Sequence, residues 1–344
     1  MKILYGVQAT GNGHISRSCE IIRCLKEMGH SIYVILSGRD PSLLWDIDDL
    51  KPYETYKGLT FSTYKGRIKF FKTLFDLNFK QFFSDISSFD ASGYDIAITD
   101  FEPVTSRIAS RNKIPLIGVG HQYAFYNNIP TEGANPFAGF IIKHFAPVDY
   151  PIGLHWYHFD QPILPPVVPR FNTDSLSVID NKILVYLPFE EPDDIFQFLA
   201  PFKSYEFFVY HRFDEPSRKK NIYIRPFSRK GFLDDLKDCS GVITNAGFEL
   251  VSESLTIGKK ILIKPLAGQM EQLSNARAIN DLNLGLVMKK LDITMLEGFL
   301  KGPYFSPVNY PYVAEIIARI IDSGNWFDME KIVNDSWADV NISY

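Results

Sequence analysis

The stretch GVITNAGFELVSESLTIGKKILIKPLAGQMEQLSNA, Gly241 to Ala276, decides the fold. A short apolar strand (Val242, Ile243) meets Asn245, whose side chain suits a helix cap. The next segment predicts a helix with Phe248, Val251 and Leu255 on one face and Gly258 as its stop. A second apolar strand, Ile261 to Ile263, follows, and Pro265 opens a loop. Strand, tight turn, helix and strand make one βαβ unit. The free N–H groups at such a helix start, with the helix dipole behind them, form a ready anion site. The small residues Ala246 and Gly247 let a phosphate approach the backbone closely.

Glu249 and Glu253 are four apart and share one helix face, distinct from the apolar one. A carboxylate there suits ribose hydroxyls better than phosphate, because it accepts hydrogen bonds. The following loop carries Glu271-Gln272, and Asn275-Ala276 opens another helix. The pair Glu271-Gln272 has the chemistry to grip sugar hydroxyls bidentately. The competing reading is an ordinary amphipathic helix with solvated glutamates.

The ordered series Asn245-Ala246-Gly247, Ser252-Glu253, Gly258, Pro265, Glu271-Gln272, Asn275-Ala276 resembles the donor-binding segment of GT-B glycosyltransferases. It is similar to that of the peptidoglycan lipid-intermediate GlcNAc transferase, the monogalactosyldiacylglycerol synthases and the UDP-glycosyltransferases. The resemblance implies that Glu253 holds the ribose and that Glu271-Gln272 holds the transferred sugar. It also implies that the turn at Ala246-Gly247 meets the diphosphate. Ala246 stands where Gly or Ser is usual, and Glu271 where Asp is frequent, which leaves the donor sugar open.

Composition sets the bounds. At 344 residues the chain has length for two domains, each with its own core. Hydrophobic residues at 46% and charged ones at 22% describe a globular protein, and a net charge of -4 gives nucleic acid no electrostatic footprint. Cys19, Cys24 and Cys239 neither pair evenly nor show metal spacing, so a reducing cytoplasm is expected. The chain opens directly on a strand, Lys2 to Val7, leaving no room for a signal peptide, and no apolar run is long enough to span a bilayer.

That first strand leads through Gln8-Ala9-Thr10-Gly11-Asn12-Gly13-His14 into an amphipathic helix (Ile21, Ile22, Leu25) ended by Gly29. Ser31 to Leu36 is the next strand, again βαβ, with a Gly-rich turn placed for a ligand. A nicotinamide fingerprint lacks its third glycine at Ser16, and the second strand ends in Ser37-Gly38 without an acidic residue. The dehydrogenase reading is set aside. Gly11, Asn12 and Gly13, followed by His14, resemble the acceptor-side loop of the GT-B families, which makes His14 a candidate for the catalytic cleft. A capping or structural histidine is the alternative.

Tyr94 to Asp100 reads as a buried strand ending in a carboxylate, with Glu102 in the turn that follows. Ile114 to Val119 is another, ending in Gly120-His121. Three strand ends thus offer His14, Asp100 with Glu102, and His121 along one sheet edge, where doubly wound sheets build their sites. Taken singly, Asp100 also suits a helix cap. Residues 61–89 are rich in Phe (Phe71, Leu74, Phe75, Phe82, with Ile86), with Arg67, Lys69, Lys72 and Lys80 nearby. A core helix with a solvated basic side is favoured over a membrane-leaning patch, because Asp76 and Asp85 interrupt the charge.

His155 and His158 are three apart in an apparent strand, on opposite faces, and read as structural. Gln161 to Pro169 is a stiff Pro-rich connector, dividing the chain at 1–165 and 166–344. Strands at Lys182 to Leu187, Tyr205 to Tyr210 and Ile222 to Ile224 build the second half. By resemblance, the loop Pro226–Ser228, with Phe227 and Ser228, lies beside the nucleotide base. Tyr312 to Ile321 and Trp326 to Tyr344 read as helical, and GT-B proteins often cross such a helix back onto the first domain. Asp46-Ile47-Asp48 matches a DxD metal motif only formally, since two residues apart on a helix do not share a face.

The expectation is two Rossmann-like α/β domains facing a cleft, with an inverting, metal-independent transfer from a nucleotide-sugar, UDP-linked, to an acceptor hydroxyl. Asn245, Ala246 and Gly247 would meet the diphosphate, with Phe248, Glu249, Glu253, Glu271, Gln272 and Asn275 around the donor. Asp100 or His14 leads as base, with Glu102 and His121 behind. No cofactor beyond the co-substrate is expected. The acceptor is a glycan, lipid or small molecule, with a cell-envelope setting implied by the resemblance and peripheral membrane contact confined to 61–89. The alternatives are a non-hydrolysing UDP-sugar 2-epimerase and a non-catalytic nucleotide-sugar-binding protein.

Overall fold

Unbroken apolar runs, unlike alternating ones, mark strands covered on both faces. β1 (Lys2–Gln8), buried from Ile3 onward, is such a run. The computed structural model describes residues 1–40, 47–59, 63–64, 67–68, 79–172, 177–327 and 329–342. In it β1 lies inside a sheet with β2 (Ser31–Ser37) and β3 (Tyr53–Tyr56). A separate small hairpin pairs β4 (Thr63–Tyr64) with β5 (Arg67–Ile68). The large sheet is completed by β6 (Ile96–Asp100), β7 (Leu116–Gly120), β8 (Tyr150–Leu154) and β9 (Ile163–Leu164). Its order is 3-2-1-6-7-8-9, parallel throughout. Parallel strands need crossovers. Among those described are α1 (Asn12–Glu27), α2 (Phe79–Ser88) and α3 (Pro103–Asn112), with α4 (His121–Ala124) and α5 (Pro136–His144) after β7.

The second sheet repeats the plan. It comprises β10 (Ile179–Tyr186), β11 (Glu206–Tyr210), β12 (Ser217–Lys219), β13 (Ile222–Arg225), β14 (Cys239–Thr244), β15 (Lys260–Ile263) and β16 (Leu286–Val287). The order is 12-13-11-10-14-15-16, parallel except for the β12–β13 edge pair. Its helices are α6 (Pro192–Leu199), α7 (Arg229–Asp238), α8 (Phe248–Thr256), α9 (Met270–Asp281) and α10 (Ile293–Lys301). The chain ends in α11 (Val313–Ser323) and α12 (Glu330–Trp337). In both sheets the winding reverses beside the first strand, at β1/β6 and at β10/β14, which is where open α/β sheets hold ligands. This is the expected pair of Rossmann-like domains.

The two sheets are joined by packing. One buried cluster runs from Val7, Ile15 and Ile22 through Trp156 into Phe248, Val251 and Leu255, and on to Ile317 and Ile321. α11 lies against α1, and the Trp337 indole donates to the carbonyl of Ile163 in the first sheet at 2.7 Å. Just ahead of α11, the Tyr312 hydroxyl donates to Glu20 Oε2 at 2.9 Å and accepts from Arg23 at 2.8 Å.

Some expectations are corrected. α8 starts at Phe248 with Gly247 at the capping position, so Asn245 does not cap it. Its amide instead donates to the Lys264 carbonyl at 2.9 Å, because the chain bends at Ala246, with the Gly247 amide on the Asn245 carbonyl at 2.8 Å, before the helix begins. His155 and His158 follow β8 in a loop, and His155 Nδ1 accepts from the amide of Trp156. In α2, Phe82 and Ile86 are core residues, while Phe79 and Phe83 face outward at 46% and 59% exposure. Lys69, Phe71, Lys72, Leu74, Phe75, Asp76 and Asp46 lie outside the described residues. Asp48 opens a single 3-10 turn. Among the described residues no helix is long and apolar enough to cross a membrane.

Tyr312 carries a test of the joint. Tyr312→Phe leaves the buried Glu20 without that donor and should lower unfolding free energy by about 1–2 kcal/mol in urea titrations. An unchanged midpoint would remove this bond from the account.

Candidate functional site

β1 leads through a turn at Ala9–Gly11 into α1, which begins at Asn12, so Asn12 and Gly13 lie in the helix and not in the expected loop. His14 and Arg17 are one turn apart on that helix and face the same way. The carboxyl end of β6, the neighbour across the switch point, supplies Asp100. His14 Nδ1 lies 2.8 Å from Asp100 Oδ1. Arg17 embraces the same carboxylate with Nε at 3.0 Å and a terminal nitrogen at 2.6 Å, and the Ser18 hydroxyl adds a bond at 3.1 Å. Asp100 is wholly buried while His14 keeps 15% of its side chain exposed. Burial alone would raise the Asp100 carboxyl, but the Arg17 guanidinium and His14 outweigh it and hold it below the usual carboxylate range. An ionised Asp100 favours the proton on Nδ1 of His14, which turns Nε2 into the accepting nitrogen, although an Arg17 terminal nitrogen also lies 3.2 Å from Nδ1.

The second sheet faces this pair with its own switch point. The turn Asn245–Gly247 follows β14, and no side chain caps α8, so its first N–H groups are free of a side-chain partner. A Cβ on Gly247 would meet nothing within 4 Å, so the helix start opens on space. Both glutamates of α8 reach across. Glu249 pairs with Arg17, and Glu253 Oε1 accepts from the Ser16 hydroxyl at 3.4 Å. Burial pushes the Glu253 carboxyl up to about 7. Gln122 of α4 donates to Glu271 at 3.2 Å, and the Gln272 carbonyl oxygen accepts from the Leu266 amide at 2.8 Å. Three amide oxygens around these elements, Gln122 Oε1, Asn245 Oδ1 and Gln269 Oε1, are buried without a hydrogen-bond partner. Orphaned acceptors of this kind suit a ligand rich in hydroxyls.

Two candidate bases are withdrawn. Glu102 is fully buried and caps α3, accepting from the amides of Val104 and Thr105 and from the Ser37 hydroxyl. Burial raises its carboxyl, and those bonds leave it no path to a ligand. His121 is equally buried, with Nδ1 2.9 Å from the Leu154 carbonyl and Nε2 2.7 Å from Asn275 Oδ1. Its ring stacks on Phe248 at 4.0 Å, and burial lowers its proton affinity. His121 is a joint between the domains.

Other donor-side positions divide the same way. The side chains of Phe248 and Asn275 belong to that joint: Phe248 lies between His121 and Trp156, and Asn275 also donates to the Ala246 carbonyl at 2.9 Å. Ala246 is buried. Ser228 caps α7 through the Gly231 amide, and Phe227 packs near Tyr186. Asn12, the first residue of α1, is held by Arg39 at 2.7 Å. Among the described residues no group of three or more His, Cys, Asp or Glu has the arrangement to hold a metal ion. Arg17, Ser16, Gln122 and Trp156 escaped the sequence reading. The three-residue step from His14 to Arg17 was the available signal for the first of them.

Comparison with known proteins follows this geometry. The model of Glycosyl transferase family 1 matches residues 1–302. No curated protein matches. Among solved structures the chain is similar to the glycosyltransferase of kitacinnamycin, at TM-score 0.62 and 13% identity over 98% of this chain and 99% of that one. It is similar to the calicheamicin glycosyltransferase CalG4 at TM-score 0.55 and 14% identity, over 99% of both chains. Arabidopsis thaliana UGT89C1, solved with UDP and separately with quercetin, gives TM-score 0.58 and 12% identity over 98% and 94% of the two chains in its UDP complex. These likenesses establish the fold and do not extend to the peptidoglycan or galactolipid enzymes in particular. With the family model covering most of its length, the chain belongs to glycosyl transferase family 1 and is a glycosyltransferase of the GT-B fold.

Proposed function

We propose that this protein transfers a sugar from a nucleotide-sugar, UDP-linked, to an acceptor hydroxyl of a glycan, lipid or small molecule, with inversion and without a metal ion. The observation that carries the reading is the His14–Asp100 pair set opposite the uncapped, open start of α8. The UDP and quercetin complexes of UGT89C1 support a nucleotide donor and a hydroxylated acceptor in this architecture.

The steps follow from the residues. His14 Nε2 takes the proton of the acceptor hydroxyl while the acceptor oxygen bonds to the anomeric carbon. The bond from that carbon to the diphosphate breaks from the opposite face, and the diphosphate leaves with the electron pair. Asp100 stabilises the imidazolium that forms. The leaving charge meets the free N–H groups and the positive end of α8, a role that elsewhere falls to a metal. Glu253 takes the ribose hydroxyls, and Glu271 with the unpaired oxygen of Gln122 takes the sugar. The buried Gln272 keeps the loop at Leu266 in place.

Wild-type protein given UDP-sugars and a phenolic acceptor in EDTA should release UDP with formation of glycoside. His14→Ala and Asp100→Asn should each lower kcat by about 10²–10⁴-fold, with donor affinity kept in His14→Ala. Full activity in both variants would remove the pair from catalysis.

Glu253 gives a pH signature. Its carboxyl in the folded protein lies above the ordinary 4.5, so the folded state holds that proton more tightly than the unfolded state. Its contribution to stability is complete below pH 4.5 and is lost as pH rises through about 7. Glu253→Gln should therefore melt near wild type at pH 4.5 and above it at pH 8. Its donor KM should rise at both. Parallel melting curves across that range would contradict the buried, proton-retaining carboxyl.

A further inference from the structure

Arg17 is assigned no role by the reaction just described, yet it is the most heavily committed cation at the cleft. Its side chain is 2% exposed, and its three nitrogens divide between the two domains. Nε and one terminal nitrogen hold Asp100, and the other terminal nitrogen pairs with Glu249 in the first turn of α8. The first two contacts are the planar, two-pronged grip that guanidinium makes with a carboxylate. The third points the remaining N–H face at the helix start where the diphosphate is placed. Glu249 is the weaker partner of the two: it keeps 10% of its side chain exposed, whereas Asp100 keeps none.

The surrounding backbone is shaped for this contact. A Cβ on Gly13 would come 2.6 Å from Glu249 Cγ, and one on Gly120 would come 3.1 Å from Asp100 Oδ1 and 3.4 Å from Arg17. Glycine at both positions lets the two carboxylates close on the guanidinium from opposite sides. A diphosphate entering at Gly247 brings phosphate oxygens to the same first turn that carries Glu249. Two anions then compete for one guanidinium edge.

We propose that Arg17 is the diphosphate-recognising residue supplied by the acceptor domain. Its outer edge rests on Glu249. On donor entry that edge passes to a phosphate oxygen, while the inner edge stays on Asp100. Arg17 thereby couples occupation of the donor site to the carboxylate that orients His14. This assignment rests on the donor reading given above.

Calorimetric titration with UDP and with uridine separates the two. UDP binding to the wild-type protein tests the donor reading, and its absence would overturn that reading and this assignment together. Given UDP binding, Arg17→Gln should weaken UDP at least tenfold and leave uridine within twofold. Glu249→Gln, which removes the competitor, should tighten UDP several-fold and also leave uridine unchanged. An Arg17→Gln protein with wild-type circular dichroism and wild-type UDP affinity would overturn the assignment while leaving the donor reading intact. So would an equal loss of UDP and uridine binding. If Arg17→Gln does not fold, Glu249→Gln decides: tighter UDP binding supports the exchange, and unchanged or weaker binding overturns it.

Discussion

The guanidinium of Arg17, clamped between Asp100 of one domain and Glu249 of the other, is the contact on which the cleft depends. Two carboxylates buried this deeply would repel one another and resist ionisation without a cation between them. With it, Asp100 stays charged, and His14 gains a fixed partner for one ring nitrogen. The domain joint and the His14–Asp100 pair are therefore one electrostatic unit. Beside it His121 stacks on Phe248, and Trp156 packs against the same ring.

The architecture explains why these groups meet. Each domain is a doubly wound sheet, and each turns its switch point toward the other. The first presents a histidine and a carboxylate, which are proton-handling groups. The second presents an open helix start, a pair of glutamates and unpaired amide oxygens, which suit phosphate and hydroxyls. Transfer between a donor on one side and an acceptor on the other needs that division of labour. The single hydrophobic cluster shared by α1, α8 and α11 keeps the two halves in register.

Much of this was legible in the residues. Unbroken runs such as Ile3 to Val7 and Ile261 to Ile263 can be buried on both faces only in a parallel sheet, and the glycine-rich turns after β1 and β14 mark where chain and ligand approach. His14 and Asp100 were legible because strand ends gather at one edge. The same reasoning overreached at Glu102 and His121. A strand end fixes where a residue is, but not whether its side chain turns to the cleft or back into a cap or a joint. Asn245 failed as a cap because the bend at Ala246 and the extended Gly247 come between it and the helix. Arg17 was hidden for a different reason: its partners lie 83 and 232 positions away, and the second becomes visible only when the two domains are placed together.

The most direct measurement is a crystal structure of the protein grown with UDP in the absence of metal ions. The account requires the diphosphate at the amides of Gly247 and Phe248, the ribose on Glu253, and a phosphate oxygen within hydrogen-bond distance of Arg17. UDP bound elsewhere, with Arg17 still on Glu249 and Glu253 still on Ser16, would contradict it.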